Sequence, residues 1–320
     1  MSHFTVVIFG PDHEAQLAKY DENLRVLPYP VDVPLKDVVR ALEYYKDKGP
    51  KGKERLKHTI HPDEMVMIVA EDRIIQPDPM SVARIYRWYT EEELFTDGDR
   101  YYRHSTYNPN SMWDWYSIGG RWRGYFPLVA NPVRPWSLGD PGVFEKLNGV
   151  VEEQYRGCAD VVHRGDVDLE KLFEVRQEDM DRFERFLAVY DSHQPFDTWD
   201  NFRTRVEAKE LTIDEARIQY RQQSIIKALN SIEEFGPFVT VEDYTKHGRD
   251  AFAYATERMA RRSTPFAYVV DGEWHQPGKM GWWGFNDATD ETYRAHTEKY
   301  RALLIGSPES TLLTMVDCHI

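Results

Sequence analysis

Strand-forming sequence stands at both ends of this 320-residue chain, and that placement constrains the fold more than anything between the ends. Residues 3–9 (HFTVVIF) are dense in β-branched and aromatic side chains and stop at Gly10-Pro11, the pattern of a buried strand closed by a turn. Residues 311–320 (TLLTMVDCHI) have the same character and follow a helical pattern over 289–304. A last strand that comes after a helix and returns to the start of the chain predicts an α+β fold, with a mixed or antiparallel sheet built by the N- and C-terminal thirds. A ferredoxin-like sheet, with the first and last strands as antiparallel neighbours, is one specific version.

The middle of the chain has a different periodicity. Leu169, Leu172, Phe173, Met180, Phe183, Leu187 and Tyr190 form a helical stripe. Thr212-Ile213-Asp214-Glu215 is a capping-box sequence, in which the Thr hydroxyl and the Glu carboxylate satisfy the first free amides of a helix. A further helix is expected over 241–262. The expected organisation is therefore a sheet domain made of 1–143 and 264–320, interrupted by a mainly helical insertion at 144–263. Two independent domains are the alternative. In the outer thirds, 35–45 reads as a helix, 64–70 (EMVMIVA) as a buried strand, and 265–275 as a hairpin turning at Asp271-Gly272.

Composition narrows the class. The chain is 41% hydrophobic and 13% aromatic, with nine Trp, which is enough apolar area for a folded core. No run of about 18 apolar residues exists to span a membrane, and the opening residues do not read as a secretory leader. Two cysteines make no disulfide framework. The expected setting is cytoplasmic. A net charge of −14, with basic residues interspersed, favours solubility and disfavours duplex nucleic acid as a partner.

Three segments could carry chemistry. In residues 113–124 (WDWYSIGGRWRG), Trp113, Trp115, Tyr116 and Trp122 offer flat stacking walls, and Arg121 and Arg123 offer planar forks for phosphate or carboxylate. Glycines there let the backbone approach a ligand closely. The plainer alternative is a hairpin with return strand 121–126, whose aromatics fill the core while the arginines cover them. In residues 278–285 (GKMGWWGF), adjacent Trp282 and Trp283 would point to opposite faces, so one of them, taken as Trp282, could face a pocket.

The third segment is Asp317-Cys318-His319. On a strand, Asp317 and His319 share a face and Cys318 takes the other. If the first and last strands pair antiparallel, His3 arrives beside Asp317 and His319. That set suits general acid–base catalysis or a divalent metal. The competing explanation is a solvated strand end or a structural Asp–His pair. Cys318 reads as a small buried hydrophobe.

As a set, the opening SHFTVVIFG, the central NPNSMWDWYSIGGRWRGYF, the later GKMGWWGF and the ending TLLTMVDCHI resemble an uncharacterised family of proteins encoded by tailed bacteriophages. The likeness lies in these four islands and transfers no catalytic role. It implies a phage product acting in the host bacterial cytoplasm, in counter-defence or host takeover.

Two functional expectations follow. One is an accessory protein that binds, and in its fuller form processes, a nucleotide-like anionic planar small molecule, with His3, Asp317 and His319 catalytic and Trp113, Trp115, Tyr116, Arg121, Trp122, Arg123 and Trp282 holding the ligand. The other is a non-enzymatic protein whose acidic helical middle binds and inhibits a host protein or other macromolecule. The residues alone leave open whether the ligand is transformed.

Overall fold

The computed structural model describes residues 2–48, 69–70, 73–74, 79–90, 92–98, 100–132, 157–236, 240–279 and 286–320. Thirteen strands occur among them. The first six in chain order are β1 (His3–Phe9), β2 (Tyr29–Asp32), β3 (Val69–Ala70), β4 (Arg73–Ile74), β5 (Phe95–Asp97) and β6 (Arg100–Ser105). The others are β7 (Trp115–Ile118), β8 (Phe126–Pro127), β9 (Cys158–Ala159), β10 (Val161–His163), β11 (Ala267–Val270), β12 (Glu273–His275) and β13 (Leu312–His319).

The chain divides into two compact units, one formed by 1–17 with 113–320 and the other by 18–112. In the smaller unit β6 pairs antiparallel with both β2 and β5, and the helices Leu35–Lys48 and Pro79–Thr90 accompany that sheet. Of the strand expected at 64–70, residues 64–68 lie outside the described residues, and Val69–Ala70 pairs with Arg73–Ile74.

The larger unit carries the main sheet, in the order β10-β13-β1-β11-β12, with β7 also on β13. Strand β13 runs antiparallel to β1 along its length, from His3 opposite His319 to Phe9 opposite Leu313. Its other edge is shared: β10 takes Leu312–Thr314 and β7 takes Val316–His319. The fold is α+β with a helical middle, as the periodicities predict. The ferredoxin-like version is not the arrangement formed. A split β-α-β unit separates its parallel strands, whereas β1 lies directly beside and parallel to β11.

Helices occupy much of 169–263, where the stripe pattern places them: Gln177–Ser192, Ile213–Gln222, Ser224–Asn230 and Ala251–Ser263 among them. The Thr212/Glu215 capping box is formed. The helix Trp199–Glu207 is an addition to that pattern; its cap is Thr198, whose hydroxyl accepts from the Asn201 amide. These helices share the larger unit with the sheet, and Val161–His163, inside the stretch read as helical, is an outer strand of it. The helices close on their own core, where Phe183, Phe186, Ile225, Leu229, Tyr244 and Tyr254 are buried together.

The expected hairpin at 113–126 is corrected. Strand β7 pairs with β13, and β8 pairs with β9. Gly119, Gly120 and Gly124 all have positive φ, and a 3₁₀ turn at Gly120–Trp122 takes the place of a return strand. That left-handed backbone is open to glycine and strains other residues, so the chain leaves the sheet at Gly119.

One face of the sheet positions the candidate site. Side chains of one strand alternate between faces, so His3, Thr5, Val7 and Phe9 share a face with Leu313, Met315, Asp317 and His319 across the register. Val7, Phe9, Leu313 and Met315 pack with Tyr300 and Leu304 of the helix Asp290–Gly306, all buried. The face is thus apolar at one end and polar at the other.

Candidate functional site

The polar end consists of two rows crossing three strands. Trp115, His319 and His3 are in register in the first row, and Ser117, Asp317 and Thr5 in the second. The two imidazoles meet edge to face with ring centroids 5.0 Å apart. Trp115 stacks on His319 at 5.4 Å, with its plane 20° from the imidazole.

Each imidazole is held by a carboxylate. His3 Nδ1 lies 2.8 Å from Asp317 Oδ1, and His319 Nδ1 lies 2.6 Å from Asp114 Oδ1. An ionised carboxylate only accepts hydrogen bonds, so each Nδ1 is the N–H donor and each Nε2 carries the lone pair in the neutral ring. Among the described residues neither Nε2 has a hydrogen-bond partner; the His3 side chain is about 10% exposed, and His319 is buried. The arrangement presents two oriented proton-transfer nitrogens near one another.

Asp317 also receives the glycine turn. Its Oδ2 accepts the Arg121 amide at 3.0 Å, while the Gly119 amide donates to Met315 O. The side chain of Asp317 is only 2% exposed, so both of its oxygens are committed inside the fold.

Beyond Thr5 and the turn opens a cavity of about 490 Å³. Thr5, Trp122, Arg123, Gly124 and Tyr125 line one side, and Lys171, Arg176, Arg261 and Arg262 bring further cations. None of its described lining residues is acidic. Among the described residues, Arg176 also pairs with Glu178, Arg261 with Glu257 and Arg262 with Asp179. Five cations around a cavity within the range of small-molecule sites suit an anion.

Behind this wall, Asp160 is fully buried between β9 and β10. Its Oδ1 accepts the Gly124 and Tyr125 amides at 2.8 and 3.1 Å, and its Oδ2 is sealed with no partner. Burial raises its pKa to about 7, against the lowering effect of the two amides and of Arg123.

The expected residues are distributed as follows. His3, Asp317, His319 and Trp115 are together on one face. Trp122 and Arg123 line the cavity. Arg121 reaches Asp317 through its backbone amide, and its side chain is exposed. Trp113 and Tyr116 belong to the other face. Trp113 is buried, donates from Nε1 to Leu17 O at 3.3 Å and packs on Tyr116, which meets His13. Cys318 is buried on that face too, its thiol pushed well up by burial. Trp282 lies outside the described residues.

Asp114, Asp160, Lys171, Arg176, Arg261 and Arg262 join these residues only in the folded chain. Only Asp114 carried a local signal, being the one acid inside the aromatic island. Among the described residues no group of three or more His, Cys, Asp or Glu side chains is set to hold a metal ion, and no helix is long and apolar enough to cross a membrane. No family model matches the chain, and no curated protein or solved structure matches it.

Proposed function

We propose that this chain binds a nucleotide-like anionic molecule and transforms it by general acid–base catalysis. One observation carries the reading: two imidazoles 5.0 Å apart, each oriented at Nδ1 by its own carboxylate, share a strand face with Thr5, which lines a cavity bearing five cationic side chains. A positioned imidazole contributes roughly 10²–10⁴-fold to a proton-transfer step, and the cations provide the charge that recognises phosphate. Trp122, 37% exposed at the cavity wall, offers a stacking surface for a base.

His3 and His319 act as base and acid, Asp317 and Asp114 orient them, and Arg123, Lys171 and Arg176 hold the anion. The four sequence islands supply the wider setting of this proposal. In an infected bacterial cytoplasm, such chemistry on a host or defence nucleotide serves counter-defence or takeover.

The test is a thermal-shift and calorimetric titration of the full chain against nucleoside mono-, di- and triphosphates. A ligand at 100 times its Kd adds about 2.7 kcal/mol to folding stability. The Lys171→Glu substitution should abolish the shift. No shift with any nucleotide, at concentrations up to several millimolar, overturns the proposal.

A further inference from the structure

We infer that the substrate carries two phosphate groups: a phosphodiester that sits over His3 and His319 and is cleaved there, and a second phosphate held in the cationic cavity. The inference deepens the function proposed above and rests on it.

Charge separates the two positions. The imidazole pair brings two carboxylates, Asp114 and Asp317, within hydrogen-bond distance of its own rings. A dianionic phosphomonoester placed there would face like charge. A diester carries a single negative charge and needs what this place supplies, a proton acceptor for the nucleophile and a proton donor for the leaving oxygen. The cavity lining has the opposite character: Arg123 and Lys171 stand there with Arg176, which also pairs with Glu178, and no described acid is on the lining itself. A terminal phosphate dianion belongs there.

Two stretches of chain connect the places. Thr5, on the cavity lining, follows His3 by two residues on the same strand face, a spacing of about 7 Å. The turn that places the Arg121 amide on Asp317 continues directly into Trp122 and Arg123 of the lining. A nucleoside joining the two phosphates would pass Trp122, which lines the cavity next to Arg123.

The step is a hydrolysis. One neutral Nε2 removes a proton from water as the water oxygen bonds to phosphorus. The P–O ester bond on the opposite side breaks, and the other imidazole, protonated, gives its Nε2 proton to the leaving oxygen. Diester and water become monoester and alcohol, and exchange with solvent returns both rings to their starting states.

The experiment compares a dinucleotide bearing a 5′-phosphate with the same dinucleotide lacking it, using the full chain. The expected result is cleavage of both, with KM about tenfold lower for the phosphorylated one, the ratio that a modest 1.4 kcal/mol contact gives. Lys171→Ala combined with Arg176→Ala should bring the two KM values together. His319→Ala should lower kcat about 100-fold or more on both substrates, with circular dichroism unchanged and part of the rate restored by added imidazole. If His319→Ala fails to fold, His3→Ala provides the same readout. Equal KM values in the unsubstituted chain overturn the second-phosphate position. Nucleotide binding without cleavage of either dinucleotide overturns the diester step and leaves nucleotide binding standing. Absence of binding removes both readings.

Discussion

Gly120 and Asp317 approach so closely that a side chain on the glycine has nowhere to go: a Cβ there would overlap Asp317 Cβ and Oδ2. Gly120 also has φ +48°, so a substitution meets both backbone strain and a clash. Gly120→Ala is expected to destabilise by about 2–3 kcal/mol and to displace the carboxylate that holds His3. Gly248 is the control, since it has φ +60° but nothing within 4 Å of a built Cβ. Gly248→Ala should cost only about 1 kcal/mol. Urea unfolding of the two variants separates the clash from the strain, and equal losses would show that Asp317 gives way freely.

Asp160 makes stability depend on pH. Its folded pKa, about 7 against an ordinary 3.8, means that the folded chain holds this proton over a range in which the unfolded chain has lost it. Folding is therefore favoured at low pH and weakened as pH rises from about 4 to 7, after which the full cost is present. Between pH 5 and pH 8 this one group is expected to remove about 2–3 kcal/mol. His13, His247 and His296 have pKa values lowered by burial and act in the opposite sense towards acid. The readout is thus the difference between the parent and Asp160→Asn, which keeps an acceptor for the Gly124 and Tyr125 amides. Urea midpoints at pH 5, 6, 7 and 8 should show a shallower decline for Asp160→Asn; parallel curves would contradict the raised pKa.

The helical core offers a prediction independent of the site. Phe186 is fully buried and stacks on Tyr244 with ring centroids 4.2 Å apart and planes 16° from parallel. Phe186→Ala leaves a cavity in a packed cluster and should cost about 3–5 kcal/mol. Any nucleotide binding that the parent chain shows in the titration should persist per folded molecule below the new melting temperature, because Phe186 is not on the cavity lining. Calorimetric melting and a binding titration at 15 °C check the two halves.

The sequence carried the His3, Asp317 and His319 grouping because strand parity is a strict rule: residues two apart on β13 share a face, and antiparallel pairing brings the start of β1 to them. The same rule separates Trp115 from Tyr116, which adjacency in an island obscures. Trp113 was harder to read, since it would share the face of Trp115 on a continuous strand, but β7 begins at Trp115. Pairing of β8 with β9 depends on chain more than thirty residues away and leaves no local trace. The cations of the cavity come from positions 123, 171, 176, 261 and 262, on several separate elements with no common spacing, so only the folded chain assembles them.

His3 and Asp317 should behave as one unit in kinetics. If Asp317 acts on the reaction only by orienting the imidazole through its 2.8 Å contact with Nδ1, then once His3 is gone its removal has little further effect on rate. His3→Ala is expected to lower kcat on a cleavable dinucleotide about 100-fold or more, and Asp317→Asn by a smaller factor, because the amide can still accept from Nδ1. The double variant should match His3→Ala alone, giving a strong departure from additivity. Stability follows another pattern: Asp317→Ala leaves the Arg121 amide and His3 Nδ1 without their acceptor and should cost about 1–3 kcal/mol, with or without the imidazole present at His3. Rates that multiply independently in the double variant would show that Asp317 touches the reaction by a route other than His3.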